Sequence, residues 1–79
     1  MNSTEKYNQA FCETFQIDTT KLKGLTYQSV QLWDSVGHMA LIAALEEAFD
    51  IMMDTEDIID LSSFEKGMEI LTNNYDVKF

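Results

Sequence analysis

Apolar residues recur at helical spacing in three stretches of this chain, and between those stretches the pattern breaks on polar residues. Near the start, Tyr7, Phe11 and Phe15 stand four apart behind Asn2, Ser3 and Thr4, any of which can cap a helix. They predict an amphipathic helix with an aromatic core face. Over residues 17–33 the period dissolves into Asp18-Thr19-Thr20, Lys23-Gly24 and Thr26-Tyr27-Gln28-Ser29, while Leu22, Leu25 and Leu32 are spaced like anchors of a long packed loop. Asp34-Ser35 then opens the strongest helical stretch, predicted to end near Asp50, with Leu41, Ile42, Leu45 and Phe49 as its buried stripe. Asp54-Thr55-Glu56-Asp57 supplies capping side chains and first-turn carboxylates for one or two turns around Ile58, Ile59 and Leu61. Ser62 with Glu65 reads as a capping box for a last helix aligning Phe64, Met68, Leu71 and Tyr75, and the tail after Asn73-Asn74 is expected to fray. The sum is an all-α fold: a small four-helix bundle of three main helices plus a short third one, with a long loop between helices one and two. Its core candidates are Phe11, Leu41, Leu45, Phe49, Ile58, Leu71 and Tyr75.

Composition narrows what such a fold can do. At 79 residues the chain has room for one domain, and 46% apolar residues exclude a disordered tail. No apolar run reaches the roughly 18 residues of a membrane span. Fourteen Asp plus Glu against five Lys and no Arg leave a net charge of -9, the wrong sign for a nucleic-acid backbone. The single cysteine, Cys12, cannot form an internal disulfide and reads as a small core or edge residue. With no basic-then-apolar leader at the N-terminus, the expected setting is the reducing cytoplasm and the expected state a monomer. One His, one Cys and no glycine-rich phosphate loop give too few parts for nucleophile and base pairs. The chain is therefore expected to be a substrate of enzymes and not an enzyme.

The central helix carries the feature that points to a role. Beside its buried stripe runs a second apolar line, Val36, Met39 and Ala43, beginning next to Ser35. A helix apolar nearly all round in so small a domain is either exceptionally buried or keeps one line for a partner protein. Leu32-Trp33-Asp34-Ser35-Val36, followed by Met39, Leu41-Ile42, Leu45-Glu46-Glu47 and Phe49, resembles the acyl carrier protein family. The resemblance spans essentially the whole chain and implies a single carrier domain over residues 1–79. It implies that Ser35 is the attachment point of a 4'-phosphopantetheine arm, derived from coenzyme A, whose thiol carries acyl groups as thioesters. Asp34 would orient the modifying enzyme or cap the helix. The partners implied are a phosphopantetheinyl transferase and acyl-loading and acyl-transfer enzymes with basic docking patches. Val36 and Met39 would supply the apolar part of the docking surface, and Glu46, Glu47, Asp50, Asp54, Glu56 and Asp57 the acidic band.

Some residues depart from the fatty-acid members of that family. Val36, Gly37, His38 and Ala40 stand where those carriers have Leu and acidic residues, and Trp33 is reminiscent of stand-alone carriers in dedicated acyl pathways. Gly37 costs a helix up to about 1 kcal/mol against Ala, and either lets a partner approach closely or has no role. His38 is expected at the edge of the core. Three alternatives stay open beside the carrier of acyl groups. An aminoacyl or peptidyl carrier shares the chemistry, but usually shows glycines before the Ser. A calcium loop beginning at Asp50 would need Gly and Glu where Thr55 and Leu61 stand. The third is an acidic helical protein-interaction module without a prosthetic group.

Overall fold

The computed structural model describes all residues 1–79 and is all-helical, with four α-helices. These are α1 (Ser3–Phe15), α2 (Ser35–Phe49), α3 (Thr55–Asp60) and α4 (Phe64–Tyr75), with a 3-10 turn at Thr19–Lys21 inside the first connection. No helix is long and apolar enough to cross a membrane. Helices α1 and α2 form the main interhelical contact.

The starts of α1, α2 and α4 each carry a side-chain cap, and that of α3 does not. Asn2 caps α1 by accepting the Glu5 N–H at 2.8 Å, and Asp18 caps the 3-10 turn through Thr20. The last helix corrects the expected capping box: Ser63, not Ser62, is its cap and accepts the Lys66 N–H at 2.9 Å. The reason lies across the chain. Residues Thr26 and Ser63 form an isolated antiparallel bridge in which Tyr27 N–H donates to the Ser62 carbonyl and Phe64 N–H to the Leu25 carbonyl. The pairing keeps the chain extended through Ser63, so the helix begins only at Phe64, and Glu65 turns outward to accept the Gly24 N–H at 3.0 Å. The long connection is stitched to the start of α4 at three points.

Three helices end on a non-glycine residue in the left-handed conformation: Gln16, Asp50 and Asp76, with φ of 56°, 54° and 57°. Asp50 N–H returns to the Glu46 carbonyl, closing the helix as an αL cap does.

The core gathers Tyr7, Phe11 and Phe15 of α1, Leu41, Ile42 and Leu45 of α2, Ile70 and Leu71 of α4, and Leu22, Leu25 and Trp33 of the connection. Trp33 is 0% exposed and lies at its centre, stacked on Phe15 with ring centroids 5.0 Å apart and edge-on to Phe11 at 5.6 Å. Of the expected loop anchors, Leu22 and Leu25 are buried, whereas Leu32 is 43% exposed because Trp33 takes the inward position beside it. Phe49, Ile58, Phe64, Met68 and Tyr75 pack against the core but are only half-buried. The tail does not fray: α4 runs on through Asn73-Asn74, Val77 is buried, and Phe79 meets Tyr7 and Phe49 edge-on at 5.3 and 6.1 Å. Apolar side chains at alternate tail positions outweigh the entropy that frays polar ends.

Candidate functional site

Ser35 occupies the first helical position of α2 and is exposed. Asp34 before it has extended backbone geometry; its Oδ1 accepts the Gly37 N–H at 2.8 Å and its carbonyl the His38 N–H at 2.8 Å. Such a cap contributes about 1 kcal/mol. Those two bonds leave the N–H groups of Ser35 and Val36 free at the helix end, where the backbone dipole is positive. No acidic side chain stands in the first turn of α2 itself.

The turn leading into Asp34 is rigidly built. Trp33 N–H donates to the Val30 carbonyl at 3.1 Å, and Gln28 N–H, from a residue at φ 67°, donates to the Trp33 carbonyl at 3.0 Å. The Leu32 carbonyl lies so close to Gly37 that a Cβ there would collide with its oxygen. Gly37 thus makes room for its own chain, where the sequence suggested an approaching partner. The turn and the first turn of α2 pack backbone against backbone, which fixes Ser35 relative to Trp33.

Along the outer face of α2, Val36 is 80% exposed and Met39 54%, and Ala43 and Glu47 are exposed after them. The second apolar line therefore lies in solvent, while Leu41, Ile42 and Leu45 fill the core. The acidic side chains divide into two sets. Glu47, Asp50, Asp54 and Glu56 are exposed. Glu46 and Asp57 are half-buried and already bonded: Glu46 accepts the Met53 N–H at 2.9 Å, and Asp57 accepts from the Tyr75 hydroxyl at 2.7 Å and from the Asn74 amide at 2.9 Å. Glu47 also borders an open groove between α1 and α2, floored by Ala10, Ala44 and Ala48. Asp54 precedes α3 but makes no side-chain cap; its N–H donates to the Tyr75 hydroxyl at 2.7 Å.

His38 is half-buried at the edge of the core, as expected, and there it links three elements. Trp33 Nε1–H donates to its Nδ1 at 2.9 Å, and its Nε2 lies 2.7 Å from the Ile58 carbonyl oxygen of α3. Sequence reasoning missed this link, although one His five residues after the only Trp, next to a helix start, was a signal available to it. Cys12 is half-buried; burial pushes its thiol up from the ordinary range, and the Asp18 charge adds to this. It has little thiolate to act as a nucleophile.

No protein-family model, no curated protein and no solved structure matches this chain.

Proposed function

We propose that this chain is a carrier of acyl groups, with Ser35 as the attachment point of a 4'-phosphopantetheine arm. The observation that carries the reading is the exposed Ser35 hydroxyl at the head of α2, flanked by Val36 and Met39, whose apolar side chains stand in solvent. The local chemistry fits a phosphodiester on Ser35. Two unpaired N–H groups and the positive end of α2 favour an anion there, and Asp34 is already occupied as the cap. When bound, the arm supplies a terminal thiol that holds a carboxylic acid as a thioester.

The chain's own residues would do the rest without making or breaking a bond in the cargo. Gly37 and the Leu32 carbonyl hold Ser35 in place, so a modifying enzyme meets a fixed target. Val36 and Met39 present an apolar contact, Met being adaptable to several partners. Glu47, Asp50, Asp54 and Glu56 supply negative charge that speeds association with basic patches and is screened by salt, as a shuttle requires. In this reading the four helices form the compact bundle of a carrier domain, and the packed first connection is its long loop.

The test is intact mass after incubation with coenzyme A and a broad-specificity phosphopantetheinyl transferase, beside Ser35→Ala. The expected result is one added phosphopantetheine on the native chain and none on the variant. A folded chain that gains no mass would overturn the reading and favour an acidic helical interaction module.

A further inference from the structure

His38 stands half-buried where the first connection, α2 and α3 meet. Trp33 stacks beside its ring, 11° from parallel with centroids 6.2 Å apart, and Tyr27 meets it edge-on at 5.7 Å. The two hydrogen bonds fix its tautomer. An indole nitrogen can only donate and a carbonyl oxygen can only accept, so the neutral ring has a bare Nδ1 facing Trp33 and a hydrogen on Nε2 facing Ile58. A proton taken from water can then be held only at Nδ1, where it meets the Trp33 N–H head-on. The imidazolium keeps its bond to Ile58 and loses the one to Trp33; the N–H formed at Nδ1 replaces one O–H bond of hydronium, which leaves as water.

The groups around it leave this exchange to the ring. Tyr27 presents a ring edge from the connection. The Asp34 carboxylate is turned to the Gly37 N–H. From α3, Asp57 is turned to Tyr75 and Asn74, while Glu56 and Asp60 are exposed. None of these offers the Trp33 N–H a substitute acceptor.

We propose that His38 is a proton-operated latch on the turn that precedes Ser35. Trp33 is fully buried, and a buried N–H without an acceptor is unfavourable, so the turn must shift when the latch opens. Because the Leu32 carbonyl seats against Gly37 and Asp34 caps α2, the shift reaches the start of the helix. The device is independent of the carrier reading, since it needs only the unmodified chain.

One His and one Trp in the chain make the test unambiguous. The uniformly nitrogen-15-labelled chain is titrated with acid at constant ionic strength, following the imidazole nitrogens, the Trp33 indole N–H and helical circular dichroism. The neutral ring is expected to carry its hydrogen on Nε2. On acidification the indole proton should lose its hydrogen-bonded downfield shift and exchange faster with water, along the same one-proton curve as the ring and with helicity retained. His38→Gln should flatten the Trp33 response over that range. The opposite tautomer, an indole signal that holds while the ring protonates, or a change that coincides with loss of helicity would each overturn the latch. So would an equal response in His38→Gln, and should that variant fail to fold, the wild-type signals decide alone.

Discussion

Individual residues hold this fold at points where an atom has no room to spare. Gly67 on α4 is buried against Tyr7, and a Cβ there would collide with the Tyr7 hydroxyl and sit 3.2 Å from Leu61 Cγ. Gly67→Ala gains up to about 1 kcal/mol of helix propensity yet should destabilise by about 1–3 kcal/mol through overpacking. Denaturant midpoints should also show part of that loss recovered in the Tyr7→Phe, Gly67→Ala double variant, because the colliding oxygen is gone. Gly37→Ala has no such remedy, since the obstacle is the Leu32 backbone carbonyl. Tyr7 also sets an alkaline limit. Its hydroxyl donates to the Phe64 carbonyl at 2.6 Å, and burial, aided by the Glu65 charge, raises its pKa far above the ordinary value. A raised folded pKa means the fold favours the protonated phenol, so this stability is complete below about pH 10 and lost as pH rises above it. Ultraviolet titration should show part of the signal of the three tyrosines withheld until unfolding, and Tyr7→Phe should remove the share of Tyr7, leaving that of Tyr75, which is also raised.

At the scale of elements, α3 is the part held least by apolar packing. It has six residues, none fully buried, and is too short to stand alone. Beside the half-buried Ile58, its ties are polar: His38 to the Ile58 carbonyl on one side, and Tyr75 to Asp57 and to the Asp54 N–H on the other. Tyr75→Phe removes the second set, so hydrogen exchange of the α3 amides should accelerate while those of α1 and α2 stay protected. The helices themselves were legible in the sequence. Three periodic stripes and a short acidic-capped segment marked α1 to α4, because a helix and its stripe are set by residues near one another in the chain. What stayed hidden depends on residues far apart. Ser63 displaces Ser62 as cap because Thr26 pairs with it, and the tail is held by Tyr7 and Phe49. Periodicity has no view of such partners. At the candidate site, the exposure of Ser35, Val36 and Met39 followed from the two-line pattern of α2, whereas the Trp33–His38–Ile58 link needs three elements in place.

The whole molecule carries a net charge of -9 on a body with a radius of gyration of 11.2 Å. One ion pair forms among these charges, between Lys66 and Glu69 at 3.6 Å, and both partners are substantially exposed. Crowded carboxylates at that density repel, so thermal stability should rise with added salt as the repulsion is screened within about 10 Å. A melting temperature that fell between low and moderate sodium chloride would contradict that balance of charges. The left-handed helix ends have a different bearing on the molecule's future. Gln16 and Asp76 each hold a side chain in a conformation where glycine is at ease, and they close α1 and α4, not α2. Glycine at either position should stabilise by roughly 0.5–1 kcal/mol. The native protein thus lies two single-residue steps below a sturdier version of itself. That margin is open to an evolving lineage, which could take up a damaging change on the α2 surface without losing the fold.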